Sequence, residues 1–224
     1  MKAIMSIKTI KTPKNKSINI CDINKPIKLN NIEDIISNNT YVKNCKTNKE
    51  KDINSISYLL DPKLNMSQSD CIKFGIGLEH VIKDIILQYN QNLISIKEPN
   101  KKGQKEKDHL FMDCHKRIIY YSEIKSNINL DTEKSLATYE KCLYNKKNIE
   151  KKYPDCKVIM FLTSVRYYTN EIIPNTISNK YTKIIDSLLG INEYYKALSV
   201  PICYNNEDEF KIFLNLLANK MFNE

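Results

Sequence analysis

The chain has no tryptophan, only four glycines among 224 residues, and no apolar run long enough to span a bilayer. The last absence leads us to expect no transmembrane helix in these residues. No internal repeat is visible. The cysteines, Cys21, Cys45, Cys71, Cys114, Cys142, Cys156 and Cys203, are odd in number and contain no CxxC spacing. That pattern argues against a disulfide framework and for reduced thiols in an intracellular, cytoplasmic setting. Histidine is scarce, with three in all. Asp113, Cys114 and His115 are adjacent and lack a second ligand pair at finger spacing, so structural zinc is not expected. Lys2 is followed by no long apolar stretch before Pro13, which argues against a secretory leader.

What is abundant is lysine, asparagine and isoleucine. Lys and Arg total 35 against 26 Asp and Glu, a formal charge of +9. Such a balance suits a polyanionic partner such as nucleic acid. An AT-rich genome also produces this composition, so the charge carries modest weight. The length fits one domain with elaborations, large enough to bury a real core.

Residues 1–65 are polar, dense in Lys and Asn, and interrupted by Pro13, Pro26 and Pro62. They read as an extended arm with small ordered pieces, one a short helix at Asn31–Ile36. A longer helix is predicted from about Ser67 to Tyr89. Ser67 or Ser69 would cap it, and Asp70 would favour the helix dipole. Phe74, Leu78, Val81, Ile82, Ile85 and Ile86 form its apolar stripe, with Glu79 beside the stripe. Gly75 and Gly77 would permit a close neighbour. Asn92–Lys97 alternates as a strand, and Glu98–Gly103 is a charged loop. Asp131 would cap a second helix running to about Lys152, with Leu136, Tyr139 or Glu140, and Leu143 on one face. Cys156–Leu162 is a continuous apolar run, the mark of a strand covered on both faces. Beyond it, Tyr181–Leu189 and Glu207–Phe222 read as helices, with Pro174 and Pro201 as breaks.

The segments 107–112 and 120–125 read as two strands joined by a turn at 113–117. Antiparallel pairing about that turn brings Asp108 opposite Glu123. Alternation puts Glu123 and Lys125 on one face and Ile124 on the other. Two carboxylates and an ammonium therefore converge. Hard carboxylate oxygens are what Mg²⁺ takes, and such a metal can acidify water and stabilise charge on a phosphoryl oxygen. Cross-strand charge pairs also occur on solvated sheets, so the pattern gains force from the elements around it. In this register His109 points away from Asp108. His109, His115 and His80 are read as packed or solvated side chains rather than general bases, and Asp113 as a turn residue.

With those residues placed, the order helix, three strands, helix, strand resembles the core of the PD-(D/E)XK nuclease superfamily. Asp108 matches its first acid and Glu123-Ile124-Lys125 its ExK, over roughly Ser67 to Leu162. Lys107 stands where proline is often found. The resemblance implies an α/β fold with a mixed central sheet flanked by helices. It divides the chain into an arm (1–65), a catalytic core (66–165) and a C-terminal helical elaboration (166–224). It implies Mg²⁺ held by Asp108, Glu123 and the Ile124 carbonyl, with Lys125 near the attacking water. Glu79 corresponds to a carboxylate that many members place on the first helix, and its bland alternative is a carboxylate at the core edge.

The small, free-standing chain looks most like a type II restriction endonuclease cutting double-stranded DNA to 5′-phosphate and 3′-hydroxyl ends. A homodimer would match a two-fold site, and a cognate DNA methyltransferase would be the functional partner that spares host DNA. Lys101, Lys102, Lys105 and Lys107 could meet phosphates or form a solvated loop. Asn127, Asn129, Lys134, Thr138 and Lys141 could face DNA. Arg166-Tyr167-Tyr168 could read bases or simply pack. Base readers are expected in 1–65 and 163–205. The alternatives are a structure-selective repair or exonucleolytic DNase, and a catalytically degenerate DNA-binding protein.

Overall fold

The computed structural model describes residues 29–44, 60, 66–97, 107–126, 128, 132–181 and 187–222. Lys101, Lys102, Lys105, Asn127, Asn129, Asp131 and most of the N-terminal arm lie outside the described residues. Two short helices come first, α1 (Leu29–Asn38) and α2 (Thr40–Lys43), followed by the long α3 (Gln68–Tyr89). Ser67 caps α3 in a reciprocal box: its Oγ accepts from the Asp70 amide, and its own amide donates to the Asp70 carboxylate. Of its two central glycines, Gly77 lies against Met221, whose sulfur would be 2.6 Å from a Cβ there, so a side chain at this position would make the end of Met221 move. Gly75 faces nothing within 4 Å, so the expected close neighbour exists only at Gly77.

Three antiparallel strands follow: β1 (Leu93–Ser95), β2 (His109–Asp113) and β3 (Ile118–Lys125). Helix α4 (Thr132–Lys152) then crosses the sheet so that β4 (Lys157–Ser164) runs parallel to β3. A 3₁₀ turn at Asn170–Ile172 leads to α5 (Asn175–Tyr181), β5 (Ser187–Leu189), α6 (Ile191–Ala197) and α7 (Glu207–Phe222). The five strands lie in sequence order, β1-β2-β3-β4-β5, with β5 parallel to β4. The protein therefore has an α/β fold with a mixed sheet and flanking helices, in the order expected.

Two elements differ from the sequence reading. Ser187–Leu189 is a strand, not the end of a helix from Tyr181. Its three residues are too few to reveal a period, and its conformation is set by pairing with Phe161–Thr163. The inward face of α4 is Lys141, Cys142, Asn145 and Ile149, not the Leu136 stripe; Leu136 is 53% exposed and Cys142 fully buried.

The sheet has two unlike faces. On one, Phe111, Ile124 and Phe161 join a large apolar core with α3, α6, α7 and α1, whose Ile32, Ile35 and Ile36 are buried in it. Part of the segment read as an arm thus packs into this core, beside α7 and α3. On the other face, Leu110, Ile119, Tyr121, Met160 and Leu162 form a smaller cluster with Cys142 and Ile149 of α4 and Ile177 and Tyr181 of α5. No helix among the described residues is long and apolar enough to cross a membrane. Cys71, Cys114, Cys142, Cys156 and Cys203 are free thiols.

Candidate functional site

The β2–β3 hairpin fixes the site. His109 pairs with Ser122 and Asp113 with Ile118, so one further step of the same register sets Asp108 across from Glu123. The turn is held by Asp113, whose Oδ1 accepts from the Lys116 amide at 3.0 Å. That bond, opposed by burial, keeps the Asp113 carboxyl below its ordinary value. Arg117 follows at φ 53°, completing the reversal. Asp113, expected as the first residue of the turn, is instead the buried last residue of β2, paired with Ile118, and its side chain holds the turn that follows.

At the opposite end of the hairpin, Asp108 Oδ2 accepts the Ile124 amide at 2.7 Å and lies 4.0 Å from the Lys125 ammonium. Lys125 Nζ reaches Glu123 Oε1 at 2.7 Å. The Lys125 carbonyl accepts from Val165 on the β4 side. Because a strand residue turns its amide and carbonyl to the same edge, the Ile124 carbonyl faces the Asp108 side. Two carboxylates, an ammonium and a main-chain carbonyl therefore gather where β2 begins and β3 ends.

Glu123 has no exposed surface, and its partners account for that. Lys141, one of the residues expected to face DNA, instead donates from α4 to Glu123 Oε1 at 2.5 Å. The Tyr121 hydroxyl donates to Oε2 at 3.2 Å and accepts from Asn145 Nδ2 at 2.9 Å. Burial alone would raise the Glu123 pKa; Lys125 and Lys141 outweigh it and hold the carboxyl below its ordinary value. Asp108 goes the other way: burial, then the Glu123 charge, raise it against the pull of Lys125 and the Ile124 amide. Burial opposes the charge on Lys125, but Glu123 and Asp108 keep its pKa raised.

Glu79 approaches from α3, and its carboxyl is pushed up to about 8, first by burial and then by Asp108. Its main chain is held from the apolar face. His109 Nε2 lies 2.8 Å from the Glu79 carbonyl, and Nδ1 2.8 Å from the Tyr194 hydroxyl. A carbonyl can only accept, so Nε2 carries the proton and Tyr194 donates to Nδ1. Burial lowers the His109 pKa to about 4, consistent with a neutral ring. Behind it, Ser122 bonds Tyr194 and also Thr163, at 2.8 Å. His109 is therefore a packed side chain on the face opposite Asp108, as alternation requires. His80 stacks on Tyr41, with centroids 5.2 Å apart, and His115 is exposed in the turn.

The remaining residues expected to meet DNA are dispersed. Lys107 is half-buried beside Asp108, Lys134 is exposed on the first turns of α4, and Thr138 is half-buried one turn before Lys141. Tyr167 and Tyr168 pack against the two cores, and Arg166 lies over the Tyr167 ring at 5.8 Å. Lys141 and Asn145 are the site residues whose roles sequence reasoning missed. Their only signal was helical spacing, i and i+4, on a helix following the ExK strand.

Among the described residues no group of three or more His, Cys, Asp or Glu is arranged to hold a metal ion. Mg²⁺ does not need one, since it is often held through one or two carboxylates with waters completing its shell. Asp108 and Glu123, with the Ile124 carbonyl, fit that donor set, and the Lys125 ammonium now sits between the carboxylates. Comparison with family models, with curated proteins and with solved structures found no match.

Proposed function

We propose that this protein is a Mg²⁺-dependent nuclease of the PD-(D/E)XK type, and within that class a type II restriction endonuclease acting on double-stranded DNA. The observation that carries the reading is the gathering of Asp108, fully buried Glu123 and Lys125 at one end of the hairpin, with Glu79 brought in from α3. Burying charges away from water costs several kcal/mol per ion, roughly, before their attraction offsets it. A fold that needed only stability would gain as much from apolar residues here. Perturbed carboxyls clustered at one spot are characteristic of active sites.

Asp108, Glu123 and the Ile124 carbonyl would hold the metal, which when bound acidifies a water and stabilises charge on a phosphoryl oxygen. The Lys125 side chain is one-third exposed and its ammonium lies between the two carboxylates, where it would donate to an incoming water. Glu79 supplies a third carboxyl that burial keeps largely protonated at neutral pH. Water adds across the P–O3′ bond: its oxygen joins phosphorus, and the departing 3′ oxygen takes a proton. The charge of +9 suits the polyanionic substrate.

Digestion of plasmid DNA with Mg²⁺, and again with chelator, tests the reading. Discrete bands with uniform ends, lost with chelator, are expected. Random ends or progressive shortening would replace the restriction reading with a repair or exonucleolytic DNase. DNA binding with no cleavage would leave a degenerate DNA-binding protein.

A further inference from the structure

Two ammonium groups share one carboxylate oxygen. Lys125 and Lys141 both contact Glu123 Oε1, at 2.7 and 2.5 Å, while Oε2 is occupied by the Tyr121 hydroxyl. The lysines are not equivalent. Lys125 is on the same strand as Glu123 and also faces Asp108. Lys141 comes from α4, eighteen residues from Glu123, and its side chain is 28% exposed against 33% for Lys125, so what separates the two is the element each belongs to and the Asp108 carboxylate that Lys125 also faces at 4.0 Å. An oxygen with two ammonium neighbours cannot also take a divalent cation without one of them yielding. Electrostatic repulsion between the metal and an ammonium would favour that exchange, and Lys141 is the one to yield because Lys125 is also held by Asp108.

We infer that Lys141 is an exchangeable cation of the active site. It neutralises Glu123 while no divalent metal is bound, gives up Oε1 when the metal arrives, and then meets a substrate phosphate as a mobile point charge. A flexible four-carbon stem with a compact ammonium suits that movement better than a planar guanidinium would. Asn145, one turn on, stays with Tyr121 and keeps Glu123 aligned during the exchange. This inference rests on the metal-site reading above, so its test begins with metal alone.

Mn²⁺ binding to the full chain without DNA is measured for wild type, Lys141→Met, Lys141→Gln, Lys147→Met and Glu123→Gln. Lys147 is exposed on the same helix and controls for net charge. The expected result is tighter binding in both Lys141 variants, roughly fivefold, the scale of one partly exposed ion pair. Lys147→Met should match wild type. Equal affinity in wild type and the Lys141 variants would overturn the exchange, and so would equal tightening by Lys147→Met. Absence of Mn²⁺ binding in wild type, or unchanged binding in Glu123→Gln, would instead overturn the metal-site reading. The phosphate role has its own readout: in Ca²⁺, under conditions checked for no cleavage, the salt slope of duplex binding should fall by about one in Lys141→Met. An unchanged slope would remove that role.

Discussion

On one face of the sheet, Phe111, Ile124 and Phe161 meet α3, α6 and α7 in a broad apolar core. On the other, Tyr121 and Glu123 meet Lys141, Cys142 and Asn145 of α4, and the apolar cluster is smaller. Adjacent residues of one strand, Glu123 and Ile124, serve these opposite environments. Stability is concentrated on the first face, where buried area and close packing act without regard to direction. The proposed chemistry belongs to the second, where Glu123, Tyr121, Lys141 and Asn145 are linked by hydrogen bonds and losing one strands another. The faces communicate at the start of β2, where His109 on the apolar side holds the main chain of Glu79 while Asp108 opens the polar side.

Substitutions can break that contrast. Phe111→Ala should cost about 3–5 kcal/mol in denaturant unfolding, the usual range for emptying a fully buried aromatic site. Tyr121→Phe removes only a hydroxyl from the polar face and should cost about 1 kcal/mol, while slowing cleavage through a less constrained Glu123. Equal stability losses from the two would contradict the division of labour between the faces.

A gentler test uses pH. The Glu79 carboxyl is raised from 4.5 to about 8, by burial first and the Asp108 charge second. The folded protein therefore holds this proton more tightly than the unfolded chain does. The associated stability is complete below the unfolded value and is lost as pH rises through about 8. Thermal unfolding in chelator should show falling Tm over that window, and Glu79→Gln should flatten the curve. Parallel curves for the two proteins would mean that Glu79 is not desolvated beside Asp108.

Much of this arrangement was legible because local signals agreed with one another. A capping serine at 67 or 69 and the stripe from Phe74 to Ile86 marked α3, and the structure chooses Ser67. The hairpin register followed from turn residues at 114–117 and alternation on either side, which is why Asp108, Glu123 and Lys125 could be grouped. Glu207–Phe222 is helical over the span its pattern gave. Helix α4 defeated the same logic. Its exposed face carries Leu136 and Tyr144, 53% and 62% accessible, while Lys141 and Asn145 turn inward. Hydrophobic periodicity finds a buried face only when the surface beneath it is apolar, and here that surface is Glu123 and Tyr121. Strand β5 was hidden for another reason: three residues carry no period, and their pairing with β4 is decided at long range.

The most direct test of the central claim compares the two aspartates that bracket β2. Asp108→Asn and Asp113→Asn are isosteric changes five residues apart, one at the proposed metal and one holding the turn. Cleavage of plasmid DNA in Mg²⁺ should be abolished by Asp108→Asn, with DNA binding retained, and should run at close to the wild-type rate in Asp113→Asn. Wild-type cleavage by Asp108→Asn beside an inactive, folded Asp113→Asn would contradict the account and move the catalytic centre to the other end of the hairpin.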